Sequence, residues 1–333
     1  MKYTYILPLL LEILAITFTI LFTIYFLYTI FSEKIRSGLN SDEINNTEKY
    51  ENNDDNIYFM TYKDTANFFM KDNDRYVRNM SELDLHARNV KTHVEYLHNI
   101  EETAISFTDE EKELLVKCAN NADNYLRKET FSELKYGKYL NGSNIAGIKW
   151  VFANTYTNYF NDVIKENEQG LPHTRENIIL LSKNVLKYDE LNLTNTLIHE
   201  KIHIYQRYNS DIFDKIIKDM GLKELDKKMF KHAKYIRSNP DTNNKLYYYA
   251  KNNDNSMGLL NTMMNIGGEA EDNKEIKDYD DEKVMVCLYR NDKPNSINDV
   301  KQKDYAAEHP YEKVAYEIAE NFYKNNKNKY INI

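Results

Sequence analysis

The stretch Leu193 to Tyr208, LTNTLIHEKIHIYQRY, constrains this chain more than any other. Leu197, Ile198, Ile202 and Tyr205 recur at helical spacing, which predicts an amphipathic helix buried over much of its surface. His199 and His203 lie four residues apart, so both rings project from one face about one turn apart and can reach a single metal ion. Glu200, beside the first of them, is placed to take a proton from a water that such a metal acidifies. The pattern H-E-x-x-H thus points to metal-assisted hydrolysis, with Zn²⁺ as the expected cofactor. The bland alternative is two surface histidines on a solvated helix. The apolar flanks disfavour it, because unpaired polar groups are costly in a buried helix.

A tetrahedral zinc that keeps one position for water needs three protein ligands. A nearby third histidine, as in H-E-x-x-H-x-x-G-x-x-H, is excluded, because Gln206 and Asn209 stand where the glycine and histidine would be. The other common arrangement is a glutamate on a later helix, written E-x-x-A, where the small residue lets two helices approach closely. Glu312-Lys313-Val314-Ala315 has this form, and Ala319 continues the small face four residues on. Pro310 suits the first turn of a helix, which is predicted to run to about Asn325. Glu312 is therefore the expected third ligand. Glu317 and Glu320 lie on the same helix at other phases, and Glu308 and His309 precede it. Glu269 and Glu271 sit in a polar, glycine-containing stretch, a less precise place to hold a ligand than a buried helix.

These elements resemble those of gluzincin peptidases. Tyr305, followed seven residues later by Glu312-x-x-Ala315, is similar to the C-terminal signature of the anthrax lethal factor catalytic domain. The resemblance covers only Leu197 to Tyr205 and Tyr305 to Ala319. It implies an α+β fold, a mainly helical zincin-like metallopeptidase domain with a small mixed sheet. It also implies Zn²⁺ on His199, His203 and Glu312, Glu200 as general base, and a peptide or protein substrate. By the same resemblance Tyr305 stabilises the oxyanion, with Tyr311 and Tyr316 as alternative donors. The chain departs from the pattern twice. Tyr316 replaces the acidic residue that often follows the alanine, and positions 204 to 311, 108 residues, lie between His203 and Glu312. That span is long for the group and implies an insertion around 239–300. LPHTR before IHEKIHIYQR, with EHPYEKVAYEIA near the end, is also similar to uncharacterised metallopeptidase-like proteins of large DNA viruses. A catalytically inactive membrane or virion protein that uses the fold for binding is the alternative. The coexistence of Glu200, both histidines and a third ligand favours the enzyme.

The rest of the chain supplies the setting. Ile6 to Phe31 is apolar apart from Pro8, Glu12 and a few threonines, long enough to cross a bilayer core of ~30 Å at about 1.5 Å per residue. Residues 1–36 are therefore expected to be a membrane anchor, with flanking charges too balanced to orient it. The polar, acidic stretch 37–56 reads as a flexible stalk, and 57–333 as the catalytic domain. A net charge of −8 and the lack of any Lys/Arg block argue against nucleic acid as a partner. Cys118 and Cys287 are the only cysteines, so there is no disulfide framework and no cysteine-based zinc knuckle.

Within the domain, 57–149 reads as a helical subdomain, with helices predicted at Ser81–Glu101 and Thr108–Lys128. His86, His93 and His98 fall in the first and are read as structural, being too far apart to share an ion. In the metal-site part, 150–333, Gly170 to Arg175 is a turn and Asn177 to Leu181 a strand. By fold-level analogy that strand forms the sheet edge above the metal, where an extended substrate would pair. His173 and Arg175 then either face substrate or belong to a plain turn. Helices are predicted at Ile212–Met220 and Leu222–Arg237, and a strand at Lys283–Arg290.

Overall fold

The computed structural model describes residues 56–160, 163–250, 283–301 and 305–330. The apolar stretch Ile6 to Phe31, the stalk up to residue 55, Glu269, Glu271 and the side chain of Tyr305 lie outside the described residues. Among the described residues no helix is long and apolar enough to cross a membrane.

Short polar side chains start the first helices by satisfying backbone N–H groups that have no partner within the helix. Thr61, Ser81 and Thr108 each form a capping box with the acid three residues on, and so open α1 (Tyr62–Lys71), α2 (Glu82–Ala87) and α4 (Asp109–Lys128). Between the last two lies α3 (His93–Glu101), capped by Thr92. The single helix predicted over Ser81–Glu101 is therefore two. Asn89 takes a left-handed backbone, φ 55°, which ends the first, and Thr92 nucleates the second. The short α5 (Gly142–Ala146) follows.

The chain is mixed α+β. The main sheet runs β1 (Ile57–Phe59), β3 (Trp150–Thr155), β7 (Ile178–Ser182) and β6 (His173–Arg175). β1 and β7 run parallel to β3, while β6 is antiparallel to β7; β2 (Ala104–Ile105) adds to β3. A separate hairpin pairs β4 (Asn158–Phe160) with β5 (Val163–Lys165). β1 thus ties the start of the 57–149 region into the same sheet as the strands before the H-E-x-x-H motif. The strand predicted at Asn177–Leu181 is present but lies inside the sheet, and the edge is β6.

The motif lies on α6 (Glu190–Tyr208), capped by Asp189 and followed by α7 (Ser210–Asp219). The helix predicted over Leu222–Arg237 does not form. Gly221, at φ 76°, turns the chain into β8 (Leu222–Leu225), which pairs with β9 (Leu246–Tyr249). Leu225 joins Phe230, Leu246, Val284 and Leu288 in a small core of its own. Cross-strand burial of this kind outweighs the helix propensity of the lysines and of Glu224 in the segment. β10 (Val284–Met285) completes that sheet, so the predicted strand Lys283–Arg290 is realised over two residues and continued only by isolated bridges at Leu288 and Tyr289.

The final helix, α8 (Pro310–Tyr330), packs along α6. Ala315 and Ala319 are buried at that contact, in one core with Ile198, Ile202, Val314, Ile318 and Phe322. On another face, Lys201 of α6 is wholly buried. Its Nζ donates to Asp123 Oδ1 on α4 at 2.6 Å and to Ala146 O at 3.0 Å, and lies 3.9 Å from the centre of the Trp150 ring. Burial lowers the lysine to about 8 and raises the Asp123 carboxyl, so both partners are desolvated by the arrangement. Such a pair anchors the helix rather than adding net stability, and removing one partner leaves a buried charge. Asp123→Ala is expected to destabilise the fold by about 3–5 kcal/mol. Urea unfolding measures this, and a midpoint equal to that of the wild type would refute the anchoring role.

Candidate metal centre

Because α8 closes on α6 through two alanines, its first turn reaches the histidine face of the motif. Glu312 Oε2 lies 3.3 Å from His199 Nε2 and 3.4 Å from His203 Nε2, and the two nitrogens are 2.9 Å apart. Four-coordinate zinc with bonds near 2.0–2.1 Å needs donor separations of about 3.3–3.4 Å, which the two N···O distances match. Among the described residues these three form the one group of His, Cys, Asp and Glu that could hold a metal ion. His203 and Glu312 are buried, and the His199 side chain keeps 14% exposure.

The rivals are engaged elsewhere. Glu308 pairs with Arg237 at 2.5 Å, and His309 Nδ1 accepts the Tyr311 backbone N–H. Glu317 takes the Tyr136 hydroxyl and Lys313, and Glu320 pairs with Lys324 at the surface. Of the histidines of α2 and α3, His86 and His93 bond the carbonyls of Pro294 and Met80.

Two residues that the sequence reading gave no such role orient the ligands. Gln206 donates through Nε2 to Tyr311 O at 2.9 Å, so its Oε1 is the atom 2.8 Å from His203 Nδ1. That makes Nδ1–H the donor and turns the Nε2 lone pair of neutral His203 toward the cluster. Asn239 donates to Glu312 Oε1 at 2.8 Å, leaving Oε2 for the histidines. The helical spacing of Gln206 after His203 was a legible signal. Asn239 is 73 positions from Glu312, and nothing local in sequence joins them.

The electrostatics call for positive charge at this point. Burial works against charging His203, but Glu312 and then Asp241 outweigh it and hold its imidazole up at about 10. His199 is pushed down, chiefly by burial. Glu312 stays well below the usual carboxylate range: burial opposes this, but His203 and His199 prevail. Burial, and next the charge of Asp241, lift Glu200 well above its usual value. Its Oε2 is buried with no hydrogen-bond partner.

A cleft of about 180 Å³ opens on His199, Glu200 and Glu312, walled on its apolar side by Leu171, Pro172, Pro240, Ile297 and Tyr316. The Tyr316 ring packs edge-on to His199, centres 4.5 Å apart. Tyr311 is buried instead against Phe213 and His309, and does not line the cleft. Tyr305 opens a single 3₁₀ turn, Tyr305–Ala307, just before α8. His173 lines the cleft, donating from Nδ1 to Leu171 O at 2.9 Å and receiving Asn167 Nδ2 on Nε2 at 3.3 Å. Arg175 is 1% exposed and bound to Asp72 and Asp74, so it is structural and does not face the cleft.

The edge strand is also not bare. Thr174 N–H is held by Asp241 Oδ1 at 2.7 Å, and Thr174 C=O accepts from Arg207 at 3.3 Å. Arg207 further donates to Glu176 O and Pro240 O, fastening the Asn239–Asp241 loop along β6. The groups an extended chain would use at Thr174 are paired within the protein itself.

Comparison of the chain with protein-family models, curated proteins and solved structures finds no match in any of the three.

Metal analysis after loading with zinc is expected to find one ion per chain, which Glu312→Ala abolishes and Asn239→Ala binds about ten- to a hundred-fold more weakly. One tightly held ion in Glu312→Ala would reassign the ligand. A pH effect comes from the cleft wall, where Glu168 takes Arg88 at 2.5 Å and the Tyr96 hydroxyl at 2.8 Å. Burial alone would raise this carboxyl, but Arg88 prevails and holds it at about 2, against 4.5 for an unperturbed glutamate. A lowered folded-state value stabilises above the unfolded value. About 3 kcal/mol, present above pH 4.5, is therefore lost as pH falls through about 2. Glu168→Gln should flatten the stability profile between those limits, and an unchanged acid limb in pH-dependent unfolding would refute it.

Proposed function

We propose that this chain is a zinc-dependent metallopeptidase with a zincin-like domain of the glutamate-ligand type, held at a membrane by Ile6 to Phe31. The observation that carries the reading is a carboxylate oxygen at zinc-like distances from two imidazole nitrogens, beside a cleft that opens on His199, Glu312 and Glu200, whose Oε2 has no hydrogen-bond partner. The donor set suits zinc: borderline-soft nitrogen plus one oxygen, with three ligands and an open side, is the catalytic pattern, whereas structural zinc sites are closed by four.

His199, His203 and Glu312 are the residues that hold the ion. When bound, Zn²⁺ supplies a Lewis acid and lowers the pKa of water toward ~7. Glu200 takes the proton of the attacking water and returns it to the leaving amine, two transfers that one carboxylate at the cleft floor can make in turn. Burial lifts its pKa, which favours the protonated carboxyl that carries the proton between the two transfers. Gln206 and Asn239 keep ligand lone pairs aimed inward. The oxyanion needs a donor at the cleft: Tyr305 by the family resemblance, Tyr316 by its place against His199. The substrate is a peptide or protein, engaged from the Leu171–Pro172 side of the cleft because Thr174 is already paired.

Glu200→Gln is nearly isosteric and keeps all three ligands. It is expected to retain zinc while peptide hydrolysis falls by at least about 10²-fold. Full turnover by a zinc-loaded Glu200→Gln protein, measured on a peptide library by mass spectrometry, would eliminate the assigned base.

A further inference from the structure

The charged residues that line the cleft can be paired off, and one is left over. Glu168 is matched by Arg88, and Arg237 by Glu308, each at 2.5 Å. Glu312 and Glu200 belong to the proposed metal centre, as ligand and base. Asp241 remains. It is 8% exposed and lines the cleft. Its Oδ1 takes the Thr174 N–H at 2.7 Å and the Thr174 hydroxyl at 2.6 Å. Among the described residues no Lys or Arg side chain pairs with it. Its negative charge is nevertheless felt at His199, Glu200, His203 and His173, so it acts on the same space as the metal ligands.

A carboxylate that lines the cleft and has no Lys or Arg bonded to it directly offers an entering cation a charge-assisted hydrogen bond; Arg207 reaches it only through the Thr174 hydroxyl. The walls suit such a guest. Leu171, Pro172, Pro240 and Ile297 offer apolar surface on which a methylene stem can lie while its charged end reaches a carboxylate. With Thr174 occupied, recognition in this cleft rests on what enters the pocket rather than on strand pairing.

We propose that Asp241 is a specificity residue that selects an ammonium or guanidinium group of the substrate next to the scissile bond. This rests on the metallopeptidase reading. Two sources carry that chemistry, a Lys or Arg side chain and a peptide amino terminus.

The full-length, zinc-loaded chain is tested on one peptide mixture in four forms: unmodified, acetylated at the amino termini, acetylated at lysine, and with arginine and lysine replaced by norleucine. Cleavage beside cationic groups is expected to exceed that at neutral sites by about tenfold or more. Loss on lysine acetylation assigns the side chain, and loss on terminal acetylation assigns the amino terminus. Asp241→Asn, which keeps an oxygen for Thr174, should lower the cationic-to-neutral ratio at least tenfold. Equal wild-type rates in all four forms, or an undiminished ratio in a folded Asp241→Asn protein, overturn the proposal. Calorimetric binding of lysine hydroxamate against the same compound acetylated at both amino groups separates it from the peptidase reading. A tenfold preference for the unacetylated compound without any peptide cleavage supports the cation site and sinks the peptidase. Equal affinity, or binding of neither, overturns the cation site.

Discussion

Glu312 lies between two imidazoles because α8 approaches α6 closely, and that approach depends on side chains of one carbon. Ala315 and Ala319 are buried at the contact, and larger residues there would lift the first turn of α8 away from the histidines. The distances that matter are 3.3 and 3.4 Å, so a displacement of one ångström would remove the third donor. Everything else around the site braces this crossing. Lys201 is pinned to Asp123 and Ala146, and Gln206 links the second histidine to the backbone of α8 at Tyr311. Phe213 packs against both Tyr205 of α6 and Tyr311. A metal ligand on a helix held from several directions is defined to the tolerance that coordination requires.

The loop around Pro240 is the second brace, and it joins parts of the chain that are remote in sequence. Ser238 bonds Asp84 through both its N–H and its hydroxyl, Asn239 holds Glu312, the carbonyl of Pro240 takes Arg207, and Asp241 holds Thr174. Four consecutive residues therefore connect α2, α8, the end of the motif helix and the sheet edge. This gives the long span between His203 and Glu312 a physical role: part of it returns to the site and forms one wall of the cleft.

The features legible in sequence were those with a local signature. The capping box at Thr108, the histidine spacing on α6 and the E-x-x-A of α8 all rest on contacts within one or two helical turns, or on a small residue where two helices meet. Leu222 to Arg237 misled because its helix-favouring lysines and Glu224 are exposed, while the partner that makes Leu222–Leu225 a strand is β9, more than twenty residues away. The sheet edge misled for a related reason. The apolar run Ile178–Ser182 is apolar because it is covered on both sides by strands and on its faces by core, which is the mark of an internal strand. Asn239 and Asp241 could not have been assigned, since asparagine-proline-aspartate reads as a turn whatever its side chains later meet.

The charge arrangement follows from the same packing. Moving Glu200, Glu312 and Asp241 out of water into one small volume is unfavourable unless positive charge accompanies them. The protein supplies little: Arg88, Arg175 and Arg237 are each committed to another carboxylate, and Arg207 is spent on backbone carbonyls and Thr174. Glu312, and then Asp241, hold the His203 imidazole up at about 10 against its burial. In the proposed reading the histidines and Glu312 hold a divalent ion and Glu200 acts as the base, while Asp241 faces the same cleft with no Lys or Arg among the described residues bonded to it. A carboxylate that faces a cleft with no Lys or Arg bonded to it gives that cleft, by electrostatics alone, a preference for positively charged groups among the molecules that can enter.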